Sequence, residues 1–307
     1  MTGLTKTALL LFGAVACFAL SPYAAAVVPS AGYRAPTATA VPLLETDPLE
    51  AYRGLGAWVD MYNQGPWDYP RAAVRRMAAR GVRTLYLETA NYRKPVRGPM
   101  YRPRAVEAMI EEAHLKGLEV VAWYVPAFDN MAKDLRRATT AIDFTTATGQ
   151  VFDSFSLDIE ATVVRDIALR NERARTLSRR IRNYVGDDYT LGAIVPEAGA
   201  LYWPDFPYGA MARHYDVFLP MAYFSYRTSG AAGVYDFVAS NIAAVRQETG
   251  DPQAAVHLIG GIAEDSTPTE VEAMVDAARD KKAIGASLYD FPTTTSRQWA
   301  KLTQVSP

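Results

Sequence analysis

The chain repeats one pattern eight times: a short apolar run, then a longer segment with its apolar residues at helical spacing. The runs are Gly54–Tyr62, Val82–Glu88, Leu118–Val125, Phe152–Glu160, Tyr189–Val195, Val217–Tyr223, Val256–Ile262 and Ala283–Asp290. Between them the spacing predicts helices over Pro70–Arg80, Pro103–Lys116, Met131–Ala141, Val163–Tyr184, Tyr208–His214, Tyr235–Glu248 and Pro268–Lys281. Short continuous apolar runs read as strands covered on both faces, and helices alternate with such strands when the sheet is parallel. Pro70 and Pro103 stand where helices begin, and Gly81 and Gly117 just past where they end. Eight units favour a closed (β/α)8 barrel, a TIM barrel of the α/β class, over an open doubly wound sheet. Tyr52 to Leu302, about 250 residues, is a usual size for it. No glycine-rich phosphate-binding motif follows any strand, which argues against a nucleotide site.

The segment before the barrel reads differently. Lys6 precedes an apolar run, Ala8–Leu20, followed by Ser21, Pro22 and Ala24–Ala26. A positive start, an apolar run and small residues at its end are the marks of a secretory signal over residues 1–26. The run is too short to span a bilayer, which takes roughly 20 apolar residues. Export to the medium, the periplasm or the cell envelope is therefore expected, with lipid anchoring at Cys17 as the weaker alternative. Residues 27–50 carry Pro29, Pro36, Pro42 and Pro48 and read as a flexible tether. The barrel domain is then 51–307. The 32 Lys and Arg balance 33 Asp and Glu to a net charge of −1, which gives no electrostatic reason to expect nucleic acid. One cysteine leaves no internal disulfide framework.

In barrels of this kind the chemistry sits at the C-terminal ends of the strands. Those ends carry Trp58 and Asp60, Glu88, Trp123 and Tyr124, Asp158 and Glu160, Met221 and Tyr223, and Tyr289 and Asp290. Glu197 follows the fifth strand, and Glu264 and Asp265 the seventh. Rings that stack on sugar faces, mixed with carboxylates that bind hydroxyls or move protons, describe a polysaccharide or oligosaccharide site. Asp60, Glu88, Trp58, Trp123, Met221, Tyr289 and Asp290 are the candidate binding residues. His114, His214 and His257 read as structural, so neither a metal nor a cofactor is expected. The arginines of 165–182 read as a solvated helix face, with Asp166 and Glu172 as partners.

The fourth strand carries the sharpest signal. Strand side chains alternate faces, so Phe155, Leu157 and Ile159 share one face and Ser156, Asp158 and Glu160 the other. Two carboxylates on the inward face are costly to bury as anions, and one of them is expected to keep a proton near neutral pH. A protonated carboxylic acid beside a carboxylate can serve as the general acid for a glycosidic oxygen. The alternative is a buried ion-pair network closed by an arginine.

This strand resembles the D-x-x-D-x-D-x-E signature of the family 18, chitinase-like glycoside hydrolases, here Asp153-x-x-Ser156-x-Asp158-x-Glu160. The resemblance implies that Glu160 is the general acid and that Asp158 orients the substrate's acetamido group. Met221-Ala222-Tyr223 resembles the family's M-x-Y, which implies that Tyr223 contacts the acetamido carbonyl. Ser156 stands where the family has a further Asp, Phe224 where it has Asp or Asn, and Tyr289-Asp290 where its eighth strand ends in Trp. The expected function is an exported glycoside hydrolase with Glu160, Asp158 and Tyr223 as its catalytic group. The alternative, which the altered strand four motivates, is a carbohydrate-binding barrel without turnover.

Overall fold

Eight parallel strands close on themselves in chain order, with the last paired to the first. They are β1 (Gly54–Val59), β2 (Thr84–Asn91), β3 (Glu119–Val125), β4 (Ser154–Asp158), β5 (Leu191–Val195), β6 (Val217–Pro220), β7 (Ala255–Ile262) and β8 (Gly285–Tyr289). Around them stand α1 (Gln64–Asp68), α2 (Pro70–Ala78), α3 (Pro103–Leu115), α4 (Met131–Ile142), α5 (Ile167–Val185), α6 (Tyr208–Met211), α7 (Ala231–Thr249), α8 (Pro268–Asp280) and α9 (Ser296–Leu302). This computed structural model describes residues 47–94, 96 and 98–305, so the signal segment and residues 27–46 of the tether lie outside the described residues. The expected TIM barrel is borne out.

Alternation along each strand divides the apolar residues between two cores. On β1, Leu55, Ala57 and Val59 pack outward under the helices, and Trp58 points inward. On β4, Phe155 and Leu157 belong to the outer core. The barrel interior is filled by Tyr52, Trp58, Tyr86, Val121, Trp123, Ile194, Leu219 and Ile259. Trp58 stacks on Tyr86 with centroids 4.2 Å apart and gives its Nε1 proton to Ser287 Oγ at 2.8 Å. No helix among the described residues is long and apolar enough to cross a membrane.

The last tether residues are part of the fold. A 3-10 turn at Glu50–Tyr52 brings Tyr52 into the bottom of the barrel, where its hydroxyl lies 2.6 Å from Ser154 Oγ and 3.1 Å from Ser156 Oγ. Thr190 Oγ1 donates to the Pro48 carbonyl at 2.6 Å, and Glu50 pairs with Arg83 at 2.7 Å. Gly192 makes room for this plug, because a Cβ there would stand 2.7 Å from the Tyr52 hydroxyl. His257 is buried beside it, and burial pushes its pKa down to about 4. Neutral, it donates through Nδ1 to the Tyr52 carbonyl at 2.8 Å and accepts at Nε2 from Ser287 Oγ at 3.0 Å.

Five elements differ most from the sequence reading. β2 runs past Glu88 to Asn91 through a register shift against β3 between Glu88 and Ala90. β4 ends at Asp158, which leaves Glu160 in the following loop. α1 and α9 were not expected, being too short to show a helical period. α5 begins at Ile167 with Asp166 as its cap, accepting from the Leu169 amide at 2.9 Å. Its arginines are not all solvated. Arg170 lies 4.3 Å over the buried Trp203 ring, and Arg182 is ion-paired to Asp216 at 2.6 Å.

Candidate active site

Asp158 is the last residue of β4, and Glu160 follows on the loop while the Ile159 amide still donates to the Ile194 carbonyl at 2.8 Å. Both carboxylates reach a cavity of about 230 Å³ at the C-terminal end of the strands. Glu88 from β2 is a third acid in its wall, with the rings of Trp123, Tyr223 and Tyr289 around it. Tyr62, Tyr226 and Arg93 stand at its more open side, and Asn91 completes the β2 contribution. A second cavity of about 220 Å³ also has Glu160, Tyr223 and Tyr226 in its lining, and adds Glu197, Tyr202, Met221 and Arg227. Glu160 thus stands in the walls of both cavities.

Of the expected site residues, Glu160, Asp158, Tyr223, Glu88, Trp123 and Tyr289 come together in the first cavity, and Met221 lies in the second. Three do not reach either. Trp58 is core, 1% exposed. Asp60 accepts from the Tyr62 and Asn63 amides at 2.8 and 3.1 Å, and from the Tyr289 hydroxyl at 2.8 Å. It holds a cavity ring in place and shapes the loop after β1. Asp290 is turned away to its own loop, where it accepts from the Thr293 hydroxyl at 2.5 Å. Glu264 and Asp265 are exposed and belong to neither cavity. Among the described residues no group of three His, Cys, Asp and Glu could hold a metal ion.

Burial dominates the electrostatics. It pushes the Asp158 carboxyl well up, with Glu160 and Glu88 adding repulsion. It raises Glu160 as well, and the Arg93 cation opposes the shift at both groups. Glu88 rises to about 8 through burial, although Asn91 Nδ2 and the Met61 amide donate to it at 2.7 and 2.6 Å. Burial therefore favours the protonated form of all three carboxyl groups. No ion pair seals Asp158 or Glu160 among the described residues, and the Arg93 Nε donates to the Tyr92 hydroxyl at 2.6 Å. Two polar atoms at the cavity are buried with no partner among the described residues, Asp158 Oδ1 and Trp123 Nε1. Placed in the same wall, the Asp158 oxygen can accept a hydrogen bond from a ligand and the Trp123 N–H can donate one to it.

Arg93, Asn91, Tyr62, Tyr226, Tyr202 and Arg227 were missed as site residues in the sequence. The signal for the first two was the polar stretch after Glu88, which continues the strand. Tyr226 and Arg227 follow Tyr223 on a 3-10 turn at Phe224–Tyr226. Glu197 was visible as a strand-end acid, but its ion pair with Arg227 was not.

No protein-family model matches the chain, and no curated protein matches it in sequence. Solved structures do match in fold. A plant class V chitinase mutant from Cycas revoluta in complex with (GlcNAc)3 superimposes with a TM-score of 0.58 at 14% identity, over 81% of this chain and 98% of that one. The spore cortex-lytic enzyme SleL of Bacillus cereus gives 0.60 at 10% identity, over 82% of this chain and 74% of that one. An endo-1,4-beta-mannanase from Rhizomucor miehei gives 0.58 at 8% identity, over 78% and 86%. At such identities the shared feature is the fold, a TIM barrel like those of the family 18 chitinases.

Proposed function

We propose that the chain is a glycoside hydrolase with Glu160 as its general acid and base. The observation that carries this is the shared cavity: Glu160 and Asp158 with Tyr223 and Trp123, two polar atoms open and, among the described residues, no arginine ion-paired to the acids. In this reading Glu160, protonated through burial, gives its proton to the glycosidic oxygen as the bond from that oxygen to the anomeric carbon breaks. It then takes a proton from the water that completes hydrolysis. The substrate class best supported is a polymer or oligomer carrying N-acetylglucosamine, since chitinases and a cortex-lytic enzyme share the fold. Asp158 Oδ1 then accepts from the acetamido N–H, and Tyr223 donates to its carbonyl. Export, which rests on the first 26 residues, would place the enzyme where such polymers occur.

The test is a cleavage screen of the protein on chitin oligosaccharides, peptidoglycan and α- and β-linked glucans, with Glu160→Gln beside it. Loss of a general acid lowers kcat by about 10²- to 10⁴-fold. Cleavage that falls by that factor in the variant supports the assignment. A second reading, a carbohydrate-binding barrel without turnover, is favoured by Ser156, which is bound to the Tyr52 hydroxyl where the family carries an acid. Binding with no cleavage in either protein selects it.

A further inference from the structure

A cavity larger than the one that holds the carboxylates lies elsewhere on the barrel. A space of about 540 Å³ lies between the C-terminal part of α2 and the loops that follow β1 and β8. That volume is in the range of about 300–1,000 Å³ typical of small-ligand sites. Pro66, Phe291, Pro292 and Trp299 give it apolar walls, and Arg76 and Arg80 supply its charge. Among the described residues its lining contains no acid, so two guanidinium groups stand there without an opposing charge, in a chain whose net charge is −1.

The contrast within α2 is informative. Arg71 and Arg75 on the same helix are ion-paired to Glu111 and Glu112. Among the described residues Arg76 and Arg80 have no such partner. Arg76 lies 5.7 Å over the Phe291 ring, and Arg80 donates to Ser296 Oγ at 3.2 Å. Those contacts set the direction of the side chains and leave most guanidinium N–H groups free. The opposite wall is fixed by backbone. The Phe291 amide donates to the Trp58 carbonyl at 3.0 Å, and Thr294 Oγ1 to the Asp290 carbonyl at 2.6 Å.

We propose that this cavity is a second saccharide site, distinct from the catalytic one, and that it takes a sugar bearing a carboxylate. Planar guanidinium forks bind carboxylates in pairs of parallel hydrogen bonds, and proline and aromatic walls suit the apolar face of a sugar ring. The inference does not depend on turnover. The site adjoins the catalytic cavity along the chain: Tyr62, after β1, and Tyr289, the end of β8, line that one, and Asn63 and Phe291 line this one. An acidic glycan held here is anchored beside the cleft.

Calorimetric titration of the full chain tests the proposal, with trigalacturonate and a hyaluronan tetrasaccharide as probes and methyl-esterified trigalacturonate as the neutral control. The acids are expected to bind at least about tenfold more tightly than the ester, and high salt to weaken them. R76Q/R80Q is expected to lose about tenfold or more in affinity for the acids with its circular dichroism unchanged, while R93Q/R227Q keeps it. Equal binding of acid and ester overturns the proposal. So does failure of both acids to bind at millimolar concentration. Loss of binding in R93Q/R227Q with retention in R76Q/R80Q also overturns it, because it puts the acid in the catalytic cleft.

Discussion

The Arg93 guanidinium lowers the pKa of both Asp158 and Glu160, against burial that raises them. If Glu160 must be protonated to act, activity falls as pH rises through the titration of that pair. Arg93→Gln removes the opposing cation, so burial pushes the pair further up. The alkaline limb of kcat/KM is expected to move to higher pH in the variant, read from pH–rate profiles of both proteins on whichever glycan is cleaved. An alkaline limb that does not move would show that another group, out of reach of Arg93, donates the proton. Asp158, Glu160 and Tyr223 were legible because strand alternation and two short motifs put them on one side. Arg93 was not, since its place depends on β2 continuing past Glu88, and a register shift leaves no periodic trace.

At the level of elements, the strands were readable because parallel strands under helices are apolar on both faces. Helix ends were readable where Pro or Gly marked them. α5 shows the failure: an arginine-rich segment reads as solvated by composition, yet its inner face carries buried cations. Arg182 donates to the carbonyls of His214, Gly186 and Tyr189 at 2.9, 2.9 and 2.7 Å as well as to Asp216. It ties α5 to the segments that enter β5 and β6. Arg182→Ala leaves those acceptors short of a donor and opens space at 8% exposure. The expected loss is about 2–4 kcal/mol of stability, measured by denaturant unfolding. A loss under about 0.5 kcal/mol, the range of ordinary surface changes, would show that water replaces the guanidinium.

Over the whole molecule, the buried titratable groups make stability depend on pH with a definite sign. Glu88 at about 8, together with Asp158 and Glu160, binds its proton more tightly in the folded chain than in the unfolded one. At the other end of the barrel Glu119 is raised to about 7, by burial first and by Asp153 second. For each raised carboxyl, stability falls as pH rises from the unfolded value toward the folded one. His114, whose pKa is raised by its bond to Asp153, acts in the same direction above the ordinary histidine value of 6.5. His257, lowered to about 4, acts oppositely, but only below 6.5. The terms compete in mildly acidic solution and agree above pH 6.5. The melting temperature is therefore expected to decline between about pH 6.5 and 8. Glu88→Gln removes the carboxyl that burial raises to about 8 while its amide oxygen can still accept from the Met61 amide, so the decline should be shallower in the variant. Melting curves across that range decide the matter. A melting temperature that rises with pH there would mean that these carboxyls are ionised and well partnered in the folded chain, and Glu160 would then lack the proton that the acid step requires.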